Sequence, residues 1–241
     1  GDIANLGFGW PKGFSPFSGL ETPSHDWPWP VNPEDPTGTD RIMVVTGFSY
    51  DESEGTDGYT GSTERPDNAV QPITLTFDPS GIVIHSAFLQ IFADDFQAPS
   101  MGVSYSVRLD DQRVAPIETV FNAVDQTGPV GKLITVRIPD ALLPLLEDGS
   151  ITVSFDDATS GPGDGYAVDF IKLLINVSAF SHAGVIDGFV FDDETGAPIA
   201  GTLVTAAGIA EAVTGADGKF RLIGVPFGLV AITASKGGYA S

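Results

Sequence analysis

From Ser150 to Val177 apolar and polar side chains alternate with a period of two, and a strand is the regular element that puts alternate residues on opposite faces. Ile151, Val153 and Phe155 run in phase and end at Asp157. After a glycine-rich turn the phase resumes in Ala167, Asp169, Ile171, Leu173, Ile175 and Val177. An earlier stretch repeats the arrangement: Ala87, Leu89, Ile91 and Ala93 lead to Asp95. Read this way, a carboxylate continues each apolar stripe at a strand end. The 158–165 turn brings Asp157 and Asp169 to the same end of the sheet. A carboxylate entering a core must find hydrogen-bond donors, a cation or a proton, because an unpaired buried charge is very costly.

The rest of the chain up to residue 178 has the same grain. Strand signals fall at Arg41–Tyr50, Ile73–Phe77, Val83–Ala93, Val103–Leu109, Leu133–Ile138 and Ser150–Phe155, with a long polar loop over 51–72. In Val103–Leu109 the odd positions are apolar and Ser104, Ser106 and Arg108 lie between them. Glu118–Val124 and Asp140–Glu147 are the short helix candidates, with Asp140 placed to cap the second. Asp57-Gly58, Asp148-Gly149 and Asp164-Gly165 are turn dipeptides. Short strands at this spacing predict an all-β chain whose main body, 41–178, is an antiparallel jelly-roll-type β-sandwich.

Residues 1–40 precede it with seven prolines and all three tryptophans, Trp10, Trp27 and Trp29. Proline removes backbone donors and blocks helix, so an extended arm is expected. Tryptophan in a free tail is a liability, so the arm is expected to lie on its own sandwich, on a neighbouring copy or on a ligand. Trp27-Pro28-Trp29-Pro30, with Trp10, is the one platform in the chain suited to sugar rings. The competing reading is that these rings pin the arm to the domain, since large aromatics mainly supply buried area.

Charge and composition narrow the function classes. Eleven basic against 32 acidic residues leave a net charge of −21, which excludes the basic footprint of a nucleic-acid binder and disfavours anionic membranes. No apolar run approaches the roughly 18 residues of a membrane span. Cysteine is absent, so disulfides, thiolate catalysis and thiolate zinc sites are all excluded. The chain opens at Gly1 with neither Met nor a signal-peptide pattern, as expected of a processed or trimmed start. His25, His85 and His182 are far apart, and no Gly-x-Ser-x-Gly is present. Catalysis is therefore not expected, although Asp94 and Asp95 form a carboxylate pair of the kind glycosidases use.

Residues 179–183 are a linker of small residues, and the composition changes after it. Residues 184–241 hold six acids and three bases, a net of −3, which leaves −18 on residues 1–183. In this segment Thr195-Gly-Ala-Pro-Ile199, Asp217-Gly-Lys-Phe220 and Gly238-Tyr239 occur in order. Together these motifs resemble the carboxypeptidase regulatory-like, transthyretin-like domains. The resemblance implies a small Ig-like β-sandwich, a non-catalytic module of secreted and surface proteins. Glu194-Thr195-Gly196 and Ala216-Asp217-Gly218 read as hairpin turns, and Phe220, Leu222, Leu229, Val230 and Ile232 as core. The family carries a further strand after Gly-Tyr, whereas this sequence ends at Ser241. The expectation is an open sheet edge, filled by following residues of the native chain or by another molecule through β-augmentation.

Residues 41–178 resemble jelly-roll modules of secreted bacterial proteins, among which calcium at a sandwich rim is frequent. Calcium takes six to eight oxygen ligands. The expected ligands are Asp157, Asp164 and Asp169, with Asp94, Asp95 and Asp156 as alternatives. The competing reading has Asp169 accepting backbone N–H bonds from the 158–165 loop. The sequence thus predicts an extracellular or cell-surface structural or adhesive protein. It is expected to be stabilised by Ca2+ and to assemble with copies of itself, or with a surface protein, through the arm and the open edge as in a filament. The alternative is a carbohydrate-binding module of a larger secreted hydrolase, with polysaccharide as partner.

Overall fold

The computed structural model describes residues 43–45, 72–94, 96–126, 131–156, 166–180 and 183–239. Two compact units divide between Asn176 and Val177, with Thr135–Arg137 grouped with the second. The chain is all-β apart from short helices.

Among the described residues eight strands precede residue 177: β1 (Met43–Val45), β2 (Ile73–Thr76), β3 (Ala87–Asp94), β4 (Ser106–Leu109), β5 (Gln112–Arg113), β6 (Lys132–Arg137), β7 (Ser150–Asp156) and β8 (Tyr166–Ile175). They form two four-stranded sheets, ordered β1-β8-β3-β6 and β2-β7-β4-β5. First pairs with last, second with seventh, third with sixth and fourth with fifth. This is one long hairpin rolled into two layers, the jelly-roll arrangement that the strand spacing predicts. Two helices, α1 (Ala98–Met101) and α2 (Ala115–Asn122), and a 3-10 helix (Asp140–Leu146) occupy connections. Asp140 is not a cap: Pro139 holds that position, and no side chain caps this helix. Residues Val83–Ser86, expected to start a strand, are loop.

Alternation decides which side chains face inward. Ile151, Val153 and Phe155 of β7 are fully buried, as are Val107 and Leu109 of β4 and Leu75 of β2. Facing them, β3 contributes Ala87, Leu89, Ile91 and Ala93, all fully buried. Each fully buried Leu, Ile or Phe contributes about 1.5–3 kcal/mol of transfer free energy. The outward residues Phe88, Gln90 and Phe92 of β3 are buried too. At Phe92 the reason is a close crossing: a Cβ on Gly131 would fall 2.2 Å from the Phe92 ring.

One end of the roll is plugged by five rings. Phe96 lies 4.8 Å from Tyr105, 4.9 Å from Phe121, 5.7 Å from Phe155 and 4.6 Å from Tyr166, centroid to centroid. The Tyr166 hydroxyl donates to the Phe155 carbonyl at 2.6 Å, which ties the start of β8 to the end of β7.

Against β4 lies the buried Glu118 of α2. Its carboxylate accepts two bonds from Arg113, both 2.8 Å, and one from the Val107 N–H at 3.1 Å. The hydrogen bond from Arg113 holds the Glu118 carboxyl below its usual range; burial opposes this, and the Val107 N–H and the charges of Arg113 and Arg108 assist it.

The second unit has β9 (Ala183–Phe189), β10 (Leu203–Ala206), β11 (Ala210–Val213), β12 (Lys219–Pro226) and β13 (Ile232–Ser235). They form a two-stranded sheet, β12-β9, and a three-stranded sheet, β11-β10-β13. The core is Val204, Ala206, Ala210, Leu222 and Val225, with Ile186, Val190, Phe220 and Val230 packed on it. Gly218 closes the β11–β12 turn at φ +74, and a Cβ there would lie 2.5 Å from the Val190 carbonyl oxygen.

Glu118→Gln is expected to lower stability by about 1–3 kcal/mol at pH 7, because it weakens a charge-assisted pair and leaves buried polar groups poorly matched. The folded-state pKa lies below the unfolded one, so this stability is present above about pH 4.3 and is lost as pH falls below it. Urea unfolding at several pH values is expected to show the gap between wild type and variant closing in acid; a constant gap refutes the assignment.

Candidate functional site

The six acids expected to hold a cation divide by location. Asp95, Asp157 and Asp164 lie outside the described residues, and of Asp94 and Asp169 only the backbone is described. The ladder between β3 and β8 runs Leu89↔Leu173, Ile91↔Ile171 and Phe92↔Phe170, then jumps to Ala93↔Val168 and Asp94↔Ala167. Asp169 is therefore the extra residue of a β-bulge.

This corrects the continuous odd-numbered stripe read from sequence. Tyr166 and Val168 are buried before the bulge, Ile171 and Leu173 after it. The inserted residue reverses the phase, as a bulge does, so the buried positions of β8 are even-numbered before it and odd-numbered after it. Asp156 is half-buried and sits in β7 opposite Ser106, with Phe155 supplying the inward side chain. The backbone nevertheless places Asp94, Asp156 and Asp169 toward the end of the roll that the aromatic plug occupies. Among the described residues no group of three His, Cys, Asp or Glu is disposed to hold a metal. Trp10, Trp27 and Trp29 lie outside the described residues.

Carboxamides that the sequence reading passed over hold the strand ends. Gln126, almost fully buried, accepts from the Phe96 N–H and donates to the Ala93 carbonyl, both 3.1 Å. It thereby clamps the backbone on either side of Asp94 and Asp95. Asn122 accepts from the Tyr105 N–H at 2.7 Å and donates to the Tyr105 carbonyl at 2.8 Å. Asn176 opens an Asn-Val-Ser sequon, yet its Nδ2 donates to the Val83 carbonyl at 2.7 Å and its Oδ1 accepts from His85 N–H at 2.7 Å. That amide is already bonded within the fold. Gln126 and Asn122 carry no spacing signal, since their partners are distant in sequence.

The second unit presents a different surface. On the outer face of β9 and β12 the register sets Val185 opposite Ile223, Asp187 opposite Arg221 and Phe189 opposite Lys219. Phe189 and Ile223 are more than 60% exposed. Arg221 Nη1 lies 3.3 Å from Asp187 Oδ2, and Lys219 Nζ stands 5.7 Å from the Phe189 ring centre.

The three-stranded sheet ends at β13, whose four residues are all exposed. Ile232 pairs with Ala206 and Ala234 with Val204, so both lie on the core face. Ile232, expected in the core, is 48% exposed. Among the described residues β12 packs mainly on β11 and β10 rather than on β13. The Ala207 N–H donates to the Ala231 carbonyl at 2.8 Å. In an antiparallel ladder bonding alternates, so Thr233 and Ser235 face β10, while Ile232 and Ala234 turn N–H and C=O to the free side. Native sheets blunt such edges with charge, proline or bulges; Ile-Thr-Ala-Ser has none of these.

Residues 185–241 match the family model of the carboxypeptidase regulatory-like domain, in agreement with the resemblance carried by the Thr-Gly-Ala-Pro-Ile, Asp-Gly-Lys-Phe and Gly-Tyr motifs. The matched family is a regulatory-like module, not a catalytic one. No curated protein matches the chain.

The Asn176 assignment is directly testable. Asn176→Ala is expected to raise amide exchange of His85 and Ser86 by tenfold or more without global unfolding, as read by native-state hydrogen exchange; unchanged protection at both overturns it.

Proposed function

We propose that this protein is a non-catalytic structural or adhesive subunit of the extracellular or cell-surface space that associates with copies of itself by strand addition at β13. The observation that carries the reading is the unguarded edge Ile232–Ser235, with the core-facing Ile232 left 48% exposed. An added strand satisfies the free backbone groups of Ile232 and Ala234 and covers the open flank of the core in one step. Charge favours this unit as the junction, because residues 184–241 carry −3 of the total −21, so like-charge repulsion between copies is weakest there. The extended arm, residues 1–40, is the proposed donor. An arm-to-edge contact is head-to-tail and propagates into a filament unless it closes.

Ala234→Pro tests the junction. It removes an outward N–H while leaving the ladder to β10 intact, a setting in which an edge strand tolerates proline. Sedimentation velocity over a hundredfold concentration range is expected to show assembly of the wild type. The assembly should be lost in Ala234→Pro and on deletion of residues 1–40. A wild type that stays monomeric throughout refutes the reading.

Calcium at the acidic strand end is part of the same proposal. The support is the backbone placement of Asp94, Asp156 and Asp169 at one end of the roll, together with the sequence positions of Asp95, Asp157 and Asp164. A ligand that binds only the folded state stabilises it by RT ln(1 + [L]/Kd), about 2.7 kcal/mol at a hundredfold excess over Kd. Calorimetry is expected to show a higher Tm in millimolar Ca2+ than in chelator, with the difference reduced in Asp156→Asn. Equal Tm values in the two conditions remove calcium from the proposal.

A further inference from the structure

The β2–β3 connection holds apolar side chains out in water by design of its backbone. Asp78 Oδ1 accepts from the Ser80 N–H at 2.9 Å, and the Ile82 N–H donates to the Pro79 carbonyl at 3.0 Å. At its start Phe77 N–H donates to the carbonyl of Gly149 at 2.8 Å. Gly149 itself has φ +81, and a Cβ there would come within 2.4 Å of the Phe77 oxygen. At its far end Asn176 clamps Val83, His85 and Ser86. Between these anchors Ile82 is 43% and Val83 69% exposed. Folding normally buries such residues; here the entropy of ordering them is already spent, which is the condition for tight docking.

A groove of about 440 Å3 runs between this loop and the 3-10 helix. Its walls are Ile82, Val83 and Ile84 on one side and Leu143 and Pro144 on the other, with Asp140 and Glu147 also lining it. The two acids flank the helix, seven residues apart. At ~2.0 Å rise per residue that is roughly 14 Å. Among the described residues no basic side chain lines the groove. An extended peptide advances ~3.3 Å per residue, so positions i and i+4 lie about 13 Å apart.

We infer that this groove is a docking site for an extended segment of a partner protein, with apolar residues between two basic ones spaced four apart. The apolar side chains seat on Val83 and Leu143, and the cations reach Asp140 and Glu147. A second copy of this chain is the poorer occupant: 32 acidic against 11 basic residues make the two surfaces repel. This inference is independent of the β13 junction, because its residues all belong to the first unit.

The test uses the full chain and the labelled probe acetyl-Lys-Leu-Val-Leu-Lys-amide, followed by fluorescence anisotropy and by amide shifts in 15N spectra. Saturable binding with shifts at Ile82–Ile84 and Leu143 is expected. Val83→Glu and Glu147→Lys are each expected to weaken it at least tenfold, and a probe with both lysines replaced by glutamate is expected not to bind. Val83 is largely exposed, so its variant should keep the wild-type Tm. Ala234→Pro should bind as the wild type does. The inference is overturned by absence of saturable binding or by binding indifferent to both groove variants. Self-association abolished by Val83→Glu also overturns it, since the occupant would then be a second copy.

Discussion

Every buried backbone N–H and C=O must be paired, and a sheet supplies those pairs only where a neighbouring strand runs alongside. In the first unit the ladders stop before the core does, and three carboxamides continue them. Asn122 takes both polar groups of Tyr105, Gln126 bridges Phe96 and Ala93, and Asn176 bridges Val83 and His85. Each side chain acts as a detached piece of strand. Because of them the roll can end sharply, with the five-ring plug sealing one end and the apolar Ile82–Ile84 loop held in place near another connection.

The second unit meets the same constraint differently. Its turns are satisfied locally: Asp192 Oδ1 accepts from Thr195, and Asp217 Oδ1 from the Lys219 N–H. The Thr195 hydroxyl and N–H draw the Asp192 carboxyl below its usual range, and the Lys219 ammonium, assisted by the Lys219 N–H, does the same to Asp217. Among the described residues no such side chain serves the outward groups of Ile232 and Ala234. A strand added from another molecule, as proposed, would pair them and exclude water from Ile232 in one step. The hydrophobic and hydrogen-bonding arguments thus point to one edge. The weakly charged composition of this unit removes the repulsion that the acidic first unit would impose.

At the acidic end of the roll Phe155, Phe96 and Tyr166 pack together as an apolar layer. The bulge at Asp169 lets Val168 and Ile171 both be buried although they are three apart.

Much of this was legible in the residues alone, because period-two alternation and turn dipeptides are local properties. The Ile151, Val153, Phe155 stripe, the Asp148-Gly149 turn, the all-β class and the regulatory-like second module could all be read without coordinates. Counting by twos failed at Asp169, because a bulge is set by the partner strand. It failed again at Ile232, whose exposure depends on how far the opposite sheet extends. Helix cap and strand start were misplaced at Asp140 and Val83, where proline at 139 and the Asn176 clamp decide. Composition alone determined that the chain is acidic, without thiols, and carries −18 of its −21 net charge before residue 184. Tertiary structure decided which strand is left without a neighbour, which amides replace a ladder and which apolar side chains stay in water, since each depends on residues brought together from distant parts of the chain.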